Sequence, residues 1–231
     1  ALRAYHWDLS EIWYATSPDG YHWTEKGRAV GRGPDGGFDA RSVFTADILV
    51  ANGKYYLFYQ AAGSLEQGTS RSSSSVGPGS NAPPNPFGGD FRHNVIAMSW
   101  ADSPDGPWHR WERPIIETGP ADAWDANVVH DPSIIVREGQ YWLYYKGSPR
   151  DAVEAAAQRE PYNPELADVN RAIWGVAMAD EPEGPYVKSK FNPVLMSGHE
   201  VIVWPYRKGV CAWTHEGPER NCIEYAEDGI N

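Results

Sequence analysis

The sequence is short of cysteine, of positive charge and of long apolar runs, and each shortage closes off a class of protein. Cys211 and Cys222 are the only cysteines in 231 residues, too few for a disulfide framework and without the partner spacing of a zinc site. Lysine and arginine number 20 against 31 aspartates and glutamates, a formal charge of −11. Such a surface repels phosphate backbones, anionic lipid headgroups and polysulfated polymers. Neither nucleic acid nor a membrane is therefore an expected partner, and neutral or cationic ligands are favoured. No apolar run of roughly 18 residues is present, and no charged start leads into an apolar stretch, so neither a membrane span nor a signal peptide is visible. GxSxG, a P-loop, a post-strand GxGxxG and HExxH are also missing. Serine-hydrolase, nucleotide-triphosphatase, dinucleotide and zinc-peptidase chemistries thus have no support.

Aromatic residues are plentiful: 11 Trp, 13 Tyr and 6 Phe, in a chain whose mean hydropathy is −0.56. Tyr and Trp suit strands and cores, and an aromatic face flanked by polar groups also complements a sugar ring, with its apolar C–H face and hydroxylated edge. Two motifs recur in order. The first is a hairpin, ILVANGKYYLFYQ (48–60), IIVREGQYWLYYKG (134–147) and VIVWPYRKGVCAWT (201–214), with tight turns at Asn52-Gly53 and Glu138-Gly139. The second is a strand closed by an acidic-Gly turn: IWYATSPDGYHWTEKG (12–27), IAMSWADSPDGPWHRWERP (96–114), WGVAMADEPEGPYVKSKFNP (174–193) and CIEYAEDGIN (222–231).

Joined, the two hairpins make a four-stranded antiparallel blade, and ordered blades mean a β-propeller. A generic antiparallel sandwich explains the strands but not this recurrence. Blades are expected at about 31–114, 125–193 and 199 onward, with residues 1–30 supplying outer strands of another. The expected fold is all-β, a five-bladed propeller forming one catalytic domain over 1–231, with the chain beginning and ending inside blades. Residues 61–94, rich in Gly, Ser, Pro and Asn, read as an irregular loop, and 149–170 as an insertion with a short helix around 151–159.

A polar cluster precedes each innermost strand: GGFDARSVF (36–44), ANVVHDPSIIV (126–136) and SGHEVIVWP (197–205). Innermost strands converge on the propeller axis, so Asp39, Asp131 and Glu200 are expected to gather at the channel mouth. Convergent carboxylates are what glycoside hydrolysis uses, one protonating the leaving oxygen and another activating water. The register is uneven: Asp131 stands eight residues before Gly139 and Glu200 nine before Gly209, but Asp39 fourteen before Gly53. Asp39 is thus placed on the loop, where it reaches the channel or caps a turn. His199 and His130 each adjoin a carboxylate and titrate near neutrality. Arg41 is read as a donor to substrate or carboxylate, Lys146 as a cation at the binding-face end of its strand, and Trp124 as a ring for stacking. No cofactor and no catalytic metal are expected, a passive divalent cation in the channel being compatible with the pattern.

At these clusters the sequence resembles glycoside hydrolase family 117, the α-1,3-neoagarobiose hydrolases. The resemblance is carried by SPDGYHWTEKGRAVGRGPDGGFDARSVFTADIL, by VHDPSIIV with YWLYYKG, by WGVAMADEPEGPYVKS, and by SGHEVIVWPYRKG with AEDGIN. It implies a five-bladed propeller and exo release of 3,6-anhydro-L-galactose from the non-reducing end of agar oligosaccharides with inversion. It also implies Asp39 as general base, Asp131 as the carboxylate that orients substrate or tunes a partner, and His199, with Glu200 essential beside it, as acid. Members exchange an N-terminal helical segment to form a homodimer and finish the ring with a C-terminal stretch; neither is recognisable here. A bacterial periplasm or cytoplasm is the compartment such an enzyme implies. Two alternatives stand: an arabinanase or xylosidase relative with Glu200 as acid, and a propeller that binds sugar without cleaving it.

Overall fold

A computed structural model describes residues 9–63, 94–149, 173–196, 198, 200–215 and 219–231. The helix expected around 151–159 and most of the 61–94 loop lie outside the described residues. Among the described residues thirteen strands follow in order: β1 (Ile12–Thr16), β2 (Thr24–Val30), β3 (Ser42–Ala51), β4 (Lys54–Ala62), β5 (Asn94–Ala101), β6 (His109–Arg110), β7 (Val128–Arg137), β8 (Gln140–Ser148), β9 (Ile173–Ala179), β10 (Val187–Lys188), β11 (Val203–Tyr206), β12 (Gly209–Thr214) and β13 (Cys222–Ala226). They form four sheets, β1-β2, β3-β4-β5-β6, β7-β8-β9-β10 and β11-β12-β13, each with its strands in chain order. The sheets are propeller blades, with β3 and β7 lying beside each other and β11 against β7.

Turn chemistry makes the repeat. Asn52-Gly53 and Glu138-Gly139 take positive φ at both positions, 51° and 72° in one hairpin and 53° and 79° in the other. That is the twist a two-residue hairpin needs to match right-handed strands. From there β3 pairs with β4 through Ala51↔Lys54, and β7 with β8 through Arg137↔Gln140.

Blades are cemented by large buried side chains. Phe58, Ile96 and Met98 of one blade meet Val129, Ile134, Leu143 and Tyr145 of the next in one cluster. Each such side chain contributes on the order of 1.5–3 kcal/mol by leaving water. Trp174, Val176 and Trp142 pack against Val201, Val203 and Val210 across the following interface. Polar ties cross the same seams: the Ile134 N–H donates to Asp47 Oδ2 at 2.9 Å, and the Tyr56 hydroxyl to Glu183 Oε1 at 2.8 Å.

Candidate active site

Both complete blades break register near the start of the innermost strand. In β3 the irregularity falls between Phe44 and Asp47, and in β7 between His130 and Ser133. The extra residue of each bulge takes the left-handed conformation, Thr45 at φ 47° and Asp131 at φ 48°. A β-branched residue such as Thr45 rarely sits there whereas aspartate tolerates it, and bulges serve to re-aim a side chain.

The two bulges hold different chemistry in one geometry. Thr45 Oγ1 donates to Gln60 Oε1 at 3.2 Å. In the next blade Asp131 Oδ2 forms an ion pair with Lys146 Nζ, both side chains 7% exposed. Gln60 and Lys146 are equivalent, since Phe44 pairs with Gln60 and His130 with Lys146. A buried ion pair costs desolvation that its attraction barely repays, so the charged version is not explained by stability alone. His130, half-buried, meets the neighbouring blade through Asn94 Nδ2 at 3.1 Å from its Nε2. Among the described residues, Asn94 Oδ1 and Gln60 Nε2 are buried with no hydrogen-bond partner. Among the described residues no three His, Cys, Asp or Glu side chains group as metal ligands.

Asp39 is placed elsewhere. Its side chain is 2% exposed and its Oδ2 lies 2.5 Å from Arg110 Nε on β6, the outermost strand of its blade. Burial pushes its carboxyl above the ordinary carboxylate value, with the Arg110 charge pulling the other way. A Cβ on Gly33 would stand 1.8 Å from Asp39 Oδ1, so the carboxylate fills a seat that only glycine leaves open. Arg110 also donates through Nη2 to the Gly31 carbonyl.

Asp125, which the motif reading passed over, has the same surroundings in the next blade. Lys188 Nζ of β10 lies 2.6 Å from its Oδ2 and also donates to the Glu117 carbonyl. The Tyr145 hydroxyl donates to Oδ2 at 3.0 Å, and a Cβ on Gly119 would stand 2.2 Å from Oδ1. The signal was present in the sequence: Asp125 stands fourteen residues before Gly139 (139 − 125), as Asp39 does before Gly53 (53 − 39).

The remaining candidates divide. Trp124 is tilted against Tyr145, ring centroids 5.4 Å apart, and covers Gly147 and Gly175, where a Cβ would fall 2.5 and 2.4 Å from its ring. It plugs its own blade, as Phe38 does one blade earlier. Arg41, half-buried, donates its backbone N–H to the Ala62 carbonyl. Glu200, half-buried, follows Gly198, whose carbonyl accepts from Trp174 Nε1 at 3.2 Å, so its loop is moored to a buried indole. His199 lies outside the described residues.

These blades define a β-propeller. The family model of Glycosyl hydrolases family 43 matches residues 6–160, and the chain belongs to that family. The family 117 resemblance is borne out by a solved structure, a family 117 glycoside hydrolase produced by the marine bacterium Zobellia galactanivorans. It is 38% identical with a TM-score of 0.73, covering 97% of this chain and 55% of that one. A structure described as a glycoside hydrolase matches at 13% identity and TM-score 0.63, covering 96% of this chain and 64% of that chain. A family 43 enzyme from Xanthomonas citri complexed with xylose matches at 14% and 0.58, covering 98% and 64%. The last two speak for the fold alone. The chain thus spans about half the length of its family 117 neighbour. No curated protein matches.

Proposed function

We propose that the protein is an exo-acting, inverting glycosidase that releases 3,6-anhydro-L-galactose from the non-reducing end of neoagarobiose and its longer homologues. The observation that carries the reading is the buried Asp131–Lys146 pair, standing where the preceding blade has Thr45 and Gln60, in a chain 38% identical to a family 117 enzyme. In this reading Lys146 pairs with Asp131, and Asp131 orients a sugar hydroxyl beside the acid. His130, tethered by Asn94, lines the same mouth. The loop of His199 and Glu200 delivers the acid, His199 giving the proton to the leaving oxygen. Inversion asks for acid and base about 6.5–9.5 Å apart with water between them, the water adding to the anomeric carbon and giving its proton to a carboxylate as the leaving oxygen takes the acid's. No step needs a cofactor.

A family 43 match over residues 6–160 supports a second reading, a xylosidase or arabinanase with Glu200 as acid. Purified protein incubated with neoagarobiose, and in parallel with xylobiose and arabinobiose, distinguishes them when products are followed by proton NMR. The reading expects 3,6-anhydro-L-galactose with inverted anomeric configuration. Turnover of the pentose substrates alone moves the assignment to the second reading, and binding without turnover of any of them leaves a sugar-binding propeller.

A further inference from the structure

We propose that Asp39 and Asp125 are positioning residues, the two copies of a latch that fixes how each innermost strand enters its blade, and that Asp39 is not the base of the reaction. The residue-by-residue match between the blades carries the inference. GPDGGFDA (33–40) and GPADAWDA (119–126) are offset by 86 positions (125 − 39), and the backbone repeats with them. The Gly33 N–H donates to the Asp39 carbonyl at 2.9 Å and the Gly119 N–H to the Asp125 carbonyl at 3.2 Å. The Arg41 and Asn127 N–H groups donate to Ala62 and Ser148, each at 2.9 Å.

The side chains follow the same plan. Each carboxylate sits under a glycine and against a cation of its outermost strand, Arg110 in one blade and Lys188 in the other. Each cation also takes the carbonyl eight residues before the aspartate, Gly31 or Glu117. One cation, one carboxylate and one carbonyl thus sew the lead-in loop to the far edge of its own sheet, and the sewing survives exchange of arginine for lysine. A proton-transfer base is needed once and must reach water within hydrogen-bond distance. A group built twice and 1% exposed at both places, Asp39 and Asp125, serves the repeat. Its purpose lies six residues further on, at Thr45 in one blade and Asp131 in the other.

The inference assigns roles within the glycosidase reading, but its thermal test does not depend on turnover. Asp39→Asn, Arg110→Gln and the double variant are melted, and their activity is measured on whichever glycoside the parent cleaves. Asp125→Asn, Lys188→Gln and Lys188→Arg form the second set. We expect Asp39→Asn and Arg110→Gln each to lower Tm by several degrees, the double variant to add little, and kcat to fall less than about 10-fold, well short of the loss expected when proton transfer is removed. The acidic limb of the kcat/KM profile stays in place. At equal loss of Tm, Asp125→Asn lowers kcat more than Asp39→Asn, because its strand carries Asp131, and Lys188→Arg restores both quantities.

Additive Tm losses in the double variant overturn the latch whether or not any sugar is cleaved. An Asp39→Asn protein with parental Tm and loss of the acidic limb makes Asp39 the base. Should Asp39→Asn not fold, Arg110→Lys carries the test: parental activity supports the latch, and a folded, inactive protein refutes it.

Discussion

Asp131 and Lys146 show what one blade spends that its neighbour does not. Thr45 and Gln60 fill the same bulge with a neutral hydrogen bond, so the neutral pair is a working solution for this backbone. Lys146→Met leaves the buried Asp131 charge without its cation, and a loss of about 3–5 kcal/mol in unfolding free energy is expected. The double variant Asp131→Thr with Lys146→Gln recreates the earlier blade's pair. It should melt at or above the parental temperature while turnover falls by about 10²–10⁴-fold, the range for removing a group that manages a proton. Thermal melts beside single-turnover kinetics check this; a double variant that melts far below the parent would mean that the charge pair holds the blade together. Asp131 and Lys146 were legible because VHDP and YYKG stand at fixed distances from a hairpin glycine. The placement of Asp39 was not, because one acidic residue in a loop looks the same whether it faces a channel or an arginine. Only comparison with Asp125, at the same fourteen-residue spacing, separates the two.

At the scale of elements, both kinds of hairpin and the four-stranded blade they make were readable, and the shortness of the outermost strands was not. ILVANGKYYLFYQ and IIVREGQYWLYYKG carry short continuous apolar and aromatic runs on either side of turn residues whose conformational needs are local, so β3-β4 and β7-β8 follow from the chain itself. β6 and β10 are two residues each. They exist because β5 and β9 offer an edge to pair with, which is a tertiary fact, and they matter because they carry Arg110 and Lys188. The two hairpins also differ in quality. Asn52 is a residue that tolerates positive φ, whereas Glu138 takes φ 53° without that tolerance, at a cost of roughly 1–2 kcal/mol. Its ion pair with Arg137 at 3.1 Å is exposed on the Glu138 side and offsets little of that. Glu138→Asn should therefore raise unfolding stability by about 1 kcal/mol, a gain of about 2–4 °C in Tm for a domain of this size. A Tm that falls instead would show that the Arg137 contact, which also bridges to the Lys208 and Glu227 carbonyls, outweighs the backbone strain.

For the molecule as a whole, the quantity that selects a ligand is the charge of −11. Lys146 and Arg110 are already paired with Asp131 and Asp39. A surface of that charge is expected to present a negative field to an approaching ligand. Screening makes this testable, because the Debye length shrinks from about 30 Å at 0.01 M salt to about 8 Å at 0.15 M. At the longer length every surface carboxylate repels an anionic ligand entering the channel; at the shorter one only its neighbours do. Binding of neoagarobiose, measured by calorimetry across that range, should be flat, since a neutral sugar meets no net field. A sulfated disaccharide of the same size should bind more weakly at low salt and gain as salt rises. The opposite slope, tighter binding of the sulfated sugar at low salt, would require a cationic patch at the mouth strong enough to overcome the net charge, and would move the proposed substrate from agar oligosaccharides to sulfated galactans.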